Sequence, residues 1–200
     1  MRSDLGAFAA RGLDSAALDF SRDARLPDGG TMRVAFSLAV ATDAALPGLA
    51  FFTCRHHQSR DLLWQPDYQR HANGARRIVE VVLSAADPAA HRHFFERLLE
   101  TEAITAPGIL SLGAANDRIT LMTRDRLAER FPECAANGDA PRFAAYRVTV
   151  ADLGAVKRQL QSNGVLYRSD SRAAVIAPDA AFGMAIEFIS AEKSEARASG

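Results

Sequence analysis

The sequence has no net charge, no long apolar run and very little sulfur. Its two cysteines, Cys54 and Cys134, show no metal-type spacing, which excludes a cysteine-built zinc site and favours reduced thiols over a disulfide. Lys+Arg and Asp+Glu both number 24, and the arginines are scattered without a basic run or an aromatic-basic stripe. Neither nucleic acid nor an anionic membrane is therefore expected as a partner. No apolar run approaches the ~18 residues of a membrane helix, and the opening MRSDLGAFAARG lacks the apolar centre of a signal peptide. The expected location is the cytoplasm. Glycine-rich phosphate loops, serine nucleophile elbows and CxxC motifs are all missing, which leaves nucleotide binding and the usual hydrolase chemistry unsupported. The tail AEKSEARASG, residues 191–200, is small and charged with no apolar period, and is expected to be disordered.

Nearly half of the residues are apolar, enough for one compact domain or one and a half small ones. The most unusual stretch is FFTCRHHQSRDLLWQPDYQRHANG, residues 51–74, which holds three of the five histidines and the only tryptophan. It opens as a short apolar strand and leaves through a polar, aromatic passage that ends in the turn-forming pair Asn73-Gly74. Such a segment either lines a pocket or packs two halves of a protein together.

Residues 4–11 read as a short helix closed by Gly12, and 18–25, 32–41 and 49–53 read as strands, with a turn at 27–30. After the hinge, RRIVEVVLSAAD at 76–87 is a strand, and Pro88 opens a helix with an apolar face of Phe94, Phe95, Leu98 and Leu99. Strands follow at 104–112 and 118–123, with Asn116-Asp117 as turn, then a short helix and loop over 124–141. The last block runs as a strand at RFAAYRVTV, a helix at DLGAVKRQLQSNG, and strands at 165–168, 173–177 and 183–190. The blocks are related. DLGA at Asp4 recurs at Asp152, GLAFFT from Gly48 matches GMAIEF from Gly183, and VVLSAAD matches VTVAD as a strand running into an acidic helix start. A βαβββ unit has been used about two and a half to three times, and the first copy begins at its helix.

Repeated βαβββ units with a strand–Asp–helix opening and a Gly-x-Ala-Ile-Glu-Phe close resemble the vicinal oxygen chelate superfamily, which includes glyoxalase I, extradiol dioxygenases and bleomycin-binding proteins. The hinge FFTCRHH…LLWQPDYQRHANGA is similar to that of bacterial glyoxalase-like proteins. The resemblance implies an α+β fold of curled mixed sheets around a cleft. The expected division is an incomplete module with hinge over 1–75, paired modules forming a glyoxalase-like domain over 76–190, and the tail. It also implies a divalent metal (Mn, Fe, Ni, Zn or Mg) held by inward residues of the first and last strand of each module. Position by position, the opening-strand ligand falls on Glu80 in the middle module and on Ala145 in the last. The closing-strand ligand falls on Glu187 in the last module and on Phe52 in the first. Two carboxylates are thus present and two expected ligands absent, so His57, His71 or a bound substrate would have to complete the shell.

Glu80 and Glu187 are accordingly the expected catalytic and metal-binding residues, with His57 as third metal ligand. Phe52, His57, Trp64 and His71 are the expected ligand-binding residues. The competing reading of Glu80 is an exposed glutamate, or one paired with Arg76 or Arg77. His56 and His57 are adjacent and must point to opposite faces of a strand. His91 and His93 are expected at the surface, and Cys54 is expected to be half-buried. Two functions remain: a metal-dependent lyase, isomerase or dioxygenase-like enzyme acting on a small oxygen-rich organic ligand between modules, and a non-catalytic sequestration protein of the bleomycin-resistance type. The incomplete first module leaves a sheet edge to be covered, by a strand preceding this sequence or by a second chain, and a homodimer is expected.

Overall fold

The computed structural model describes residues 2–26, 29–114, 117–134 and 140–191. Part of the turn at 27–30, Asn116 and the tail from residue 192 lie outside the described residues. The chain divides into two compact units, one comprising Met1–Gln69 with His93–Glu100 and the other Arg70–Arg92 with Thr101–Gly200. No helix among the described residues is long and apolar enough to cross a membrane.

The first unit opens with helix α1 (Arg2–Ala10), followed by strands β1 (Asp14–Arg25), β2 (Thr31–Thr42) and β3 (Phe51–His56) and the short helix α2 (Arg60–Leu63). A 3-10 turn at Pro66–Gln69 ends it, and most of helix α3 (Arg92–Leu99) packs here as well. Gly12, at φ +69°, lets the chain reverse after α1. The N–H groups of Gly12 and Leu13 then donate to the carbonyls of Ala9 and Phe8, and the buried side chains of Phe8 and Leu13 close the cap. The three strands form an antiparallel sheet in the order β1-β2-β3. Its register sorts the side chains into two faces. One carries Ala39, Ala41, Phe51 and Thr53; Asp4 of α1 accepts a bond from Thr53, and Phe51 packs on Phe94 and Phe95 of α3 at 5.4 and 5.2 Å. The other face carries Leu18, Phe20 and Arg22, then Leu38, Phe36 and Val34, then Phe52, Cys54 and His56.

The second unit contains β4 (Ala75–Ser84), β5 (Ile104–Ala106), β6 (Ile109–Ala114), β7 (Asp117–Met122), helix α4 (Arg124–Arg130), β8 (Arg142–Val150), helix α5 (Leu153–Ser162), β9 (Tyr167–Ser169), β10 (Ala173–Ile176) and β11 (Ala185–Ser190). They make one eight-stranded mixed sheet ordered β5-β6-β7-β4-β8-β11-β10-β9. The order is that of two repeats joined at their first strands. In each repeat the closing strand pairs in parallel with the opening one, β7 with β4 and β11 with β8, and β4 and β8 join antiparallel. The acidic residues expected at the helix starts act as caps, Asp87 accepting from the Ala89 N–H and Asp152 from the Ala155 N–H.

The sheet of the second unit is covered on both faces. Val148, Val150, Ala174, Ile176 and Phe188 meet Leu153 and Val156 of α5 on one side. On the other, Val82, Met122, Ala145, Val175 and Ala185 meet Leu127 of α4, Phe131 at its C-cap and Cys134 of the 3-10 turn that follows. The segment expected to be a connecting helix and loop is therefore a core element through residue 134.

Candidate functional site

Strand register places charged residues in a row across the second unit's sheet. Arg118 of β7 stands opposite Glu80 of β4, Glu80 opposite Arg147 of β8, and Arg147 opposite Glu187 of β11. The signs alternate across four strands, an arrangement in which each cross-strand pair attracts. Glu80 and Glu187 are both buried, and they share a face with the apolar patch that receives α4. The two residues singled out from the sequence do converge.

Two arginines occupy the space between them. Arg130, the last residue of α4, donates to both Glu80 oxygens at 3.1 and 2.6 Å and to Glu187 Oε2 at 3.2 Å. Arg147 donates from Nε to Glu187 Oε2 at 2.6 Å and stands 3.7 Å from Glu80. Thr120 of β7 completes the Glu80 shell at 2.7 Å and is in turn 3.3 Å from the Ser111 hydroxyl. Burial by itself pushes the Glu80 carboxyl up. The Arg130 bonds and charge, the Thr120 hydroxyl and the Arg147 charge outweigh it and hold Glu80 below its ordinary value. For Arg130 burial opposes the charge, and its bonds to Glu80 with the charges of Glu80 and Glu187 push it up. Both groups are therefore ionised at neutral pH, so Glu80 holds no proton to give as a general acid there and its lowered value makes it a weaker base.

The divalent ion implied by the family resemblance does not fit this donor set. Both carboxylates are engaged by guanidinium groups, and an ion between them would place two further positive charges against Arg130 and Arg147. The other two family positions supply no donor, since Ala145 is buried in the core and Phe52 carries a ring. Among the described residues no three His, Cys, Asp or Glu side chains gather as a metal-ligand set. The expected third ligand, His57, lies in the first unit with its Nε2 on the Ser37 hydroxyl at 2.7 Å. Neither Arg76 nor Arg77 pairs with Glu80 as the alternative reading had it; Arg77 pairs with Asp117.

Nor is the α4 segment a loose lid. Lifting it exposes Leu127 and Phe131, both fully buried, at about 1.5–3 kcal/mol each. Together that disfavours the open state by roughly a hundredfold to ten-thousandfold before any ion pair is broken.

The expected ligand-binding residues are distributed differently. Phe52 is 57% exposed on the second face of the first unit's sheet; Leu18 and Phe20 on the opposite edge strand are exposed too, and Phe36 and Leu38 of the middle strand are buried. On that face Phe20 stacks on Phe36 at 4.9 Å, and His56 meets the Phe36 ring edge-on at 4.9 Å. His56 and His57 take opposite faces, as strand geometry requires. A shallow cavity of about 380 Å³ is bordered by Asp19, Phe20, Ser21, Phe36, Ser37 and His57. Trp64 is half exposed under the Arg60 guanidinium at 5.1 Å, and exposed His71 belongs to the second unit, where its carbonyl accepts the Gly74 N–H. Cys54, expected half-buried, is exposed, whereas Cys134 is buried and its thiol is pushed up by that burial. His93 is at the surface as expected, but His91 is buried at the helix start.

Compared with known proteins, residues 2–99 match the family described as Glyoxalase-like domain. No curated protein matches the sequence. Among solved structures, a hypothetical protein from Staphylococcus aureus is similar over 96% of this chain, at 8% identity and a TM-score of 0.62. The chain spans 63% of that protein's length, and the likeness bears on the fold alone. A methylmalonyl-CoA epimerase from Mycobacterium tuberculosis aligns with 64% of this chain and 97% of its own at 19% identity and a TM-score of 0.42. The Streptomyces coelicolor epimerase in complex with 2-nitronate-propionyl-CoA covers 58% and 95% at 16% identity and 0.40.

Proposed function

We propose, starting from the match of residues 2–99 to the glyoxalase-like domain family, that this chain is a non-catalytic binding protein for small oxygen-rich organic molecules, held without a metal. One observation carries this reading: Arg130 and Arg147 neutralise Glu80 and Glu187 from within the chain, at the place where the superfamily resemblance puts an ion. The apolar patch beside them is filled by Leu127, Phe131 and Cys134. The first unit supports the binding role. Phe52 stands where the last module has Glu187, and its face offers exposed aromatic and aliphatic surface with a few polar groups at hand, the mixture that small-molecule sites use.

The test is a thermal-shift screen of small organic acids, polyols and sugars in EDTA. The expected result is a rise in melting temperature with at least one of them, unchanged when Mn or Zn replaces EDTA and lost on Phe52→Ala. A response that exists only in the presence of metal overturns the reading. The competing reading, a metal-dependent lyase or isomerase with Glu80 and Glu187 as its catalytic pair, draws on the convergence of those two carboxylates. It requires that Mn, Fe, Ni, Zn or Mg raise the melting temperature by themselves, and that Glu187→Ala abolish the rise.

A second copy of the chain is the proposed protein partner. β3 ends its sheet in the place that β7 and β11 hold in their repeats, and both of those pair in parallel with an opening strand. A strand from another copy beside β3 would supply that neighbour. A sedimentation profile of monomer at micromolar concentration argues against it.

A further inference from the structure

We infer that a separate cavity in the first unit, between the end of the β1–β2 hairpin and the α2 segment, takes a small organic monocarboxylate. This rests on the proposal that the first unit binds small organic molecules, and adds where one class of them sits and what it must carry. The cavity measures about 210 Å³. Met32 and Val34 of β2 line it with Leu26 and with Leu62 of α2, while Arg22, Arg25 and Tyr68 contribute its polar groups. Val34 is fully buried, Met32, Leu26 and Leu62 are partly so, and Arg22, Arg25 and Tyr68 are exposed. The inside is thus apolar and the outside cationic.

No carboxylate among the described residues pairs with Arg22 or Arg25, and none lines the cavity. That sets them apart from Arg11, Arg77, Arg126, Arg130, Arg147 and Arg168, each of which has an acidic partner. Asp23, next in sequence to Arg22, is taken by Arg33 at 3.2 Å. The Arg22 guanidinium carbon lies 5.8 Å over the Phe36 ring, on the same face of the sheet. Two guanidinium groups with no counter-ion among the described residues, beside a small apolar hollow, match a carboxylate on a short apolar body, since the planar fork of arginine bonds both carboxylate oxygens at once. At 210 Å³ the hollow is smaller than the roughly 300–1,000 Å³ of drug-sized sites, which restricts the body to about the size of benzoate or hexanoate.

The position is separable from Phe52. Arg22 pairs in register with Val34 near one end of the face and Phe52 with Val40 near the other. Trp64 provides a built-in reporter, being the only tryptophan and two residues from Leu62.

The experiment titrates benzoate and hexanoate into the full chain in EDTA at constant ionic strength, following Trp64 fluorescence and melting temperature, with benzyl alcohol and hexanol as uncharged controls. The acids are expected to saturate the signal and the alcohols to bind at least about tenfold more weakly. Arg22→Gln and Arg25→Gln should each weaken benzoate by roughly tenfold to a hundredfold while leaving the melting temperature of the unliganded protein unchanged, both side chains being exposed. The inference is overturned if alcohols bind as well as acids, if the Arg22→Gln/Arg25→Gln double variant keeps its affinity, or if none of the probes binds in the millimolar range. Benzoate binding lost on Phe52→Ala but kept in the double arginine variant overturns this site and leaves the metal-free reading standing. Binding that depends on both arginines but also on added Mn does the reverse.

Discussion

Arg130 is the residue on which the description of the Glu80 site depends most, and Arg130→Met isolates its charge. Methionine keeps an apolar stem, so the main loss is the guanidinium, which lies 4.8 Å over the Phe131 ring and makes bonds of 3.1, 2.6 and 3.2 Å to Glu80 and Glu187. Glu80, with a side chain only 5% exposed, is left with Thr120 and an Arg147 nitrogen 3.7 Å away, beyond hydrogen-bond reach. Removing one partner from a buried ion pair costs about 3–5 kcal/mol, because the other charge stays buried. Arg130 is one-quarter exposed and Arg147 remains, so the lower end, about 3 kcal/mol, is expected. That corresponds to a fall of roughly 6–12 °C in melting temperature for a protein of this size. Urea unfolding followed by far-ultraviolet circular dichroism at neutral pH measures it. Adding Glu80→Gln to Arg130→Met should restore at least about half of the loss, since no stranded charge remains. Mn or Zn should stabilise Arg130→Met and leave the parent protein unaffected. A single variant within about 1 kcal/mol of the parent, or a double variant less stable than the sum of the singles, refutes the account of the site.

Three further outcomes follow from the same geometry. Glu80 is held below its ordinary value of 4.5, so its contribution to stability is fully present above about pH 4.5 and is lost as the pH falls through the lowered native value; Glu80→Gln should flatten the acid limb of the urea midpoint against pH, and an unchanged limb contradicts the assignment. Phe131→Ala should cost about 3–5 kcal/mol in urea unfolding, because the ring is fully buried against the sheet, and a loss under 1 kcal/mol means that α4 does not pack as described. Alkylation by iodoacetamide in the native protein should modify Cys54 and spare Cys134, whose thiol is buried and raised; mass spectrometry of tryptic peptides finding equal labelling contradicts the burial of the turn after α4.

The repeat was legible because it is written in short-range signals. Asp87 and Asp152 announce helix starts, Gly12 and Gly164 sit where helices end, and the matching closes at Gly48 and Gly183 fix the phase of the last strands. From that phase Glu80 and Glu187 could be placed on one face, and they meet there. Arg147 was within reach of the same logic, since it lies two residues beyond Ala145 and so shares its face, but it carried no motif of its own. Arg130 was not legible. It sits 50 residues along the chain from Glu80, at the end of a seven-residue helix whose sequence reads as a surface connector, and only packing of Leu127 and Phe131 on the sheet brings it to the carboxylates. His91 misled for a related reason: the start of a helix reads as exposed unless its own neighbours are known.

Why two buried glutamates persist where the chain itself supplies their counter-ions can be argued from what the ions do that apolar residues would not. Burying four charges gives little net stability, and well-packed apolar residues of similar volume often do as well or better. Leu127, Phe131 and Cys134 already hold α4 to the sheet, but contacts of that kind depend weakly on small shifts along a smooth patch such as Val82, Ala145, Val175 and Ala185. Arg130 bonds two strands at once, β4 through Glu80 and β11 through Glu187, and Arg147 of β8 stands between them in the register. A shift of one residue in α4 would leave Arg130 and Glu80 without their partner, while Glu187 would keep only Arg147. The quartet therefore fixes position more than it adds stability, and the positions that resemble a metal centre are used to lock a helix over the face where that centre would have opened. In the first unit the equivalent position is Phe52, which is exposed with Leu18 and Phe20 on a face whose middle strand, with Val34, Phe36 and Leu38, is buried.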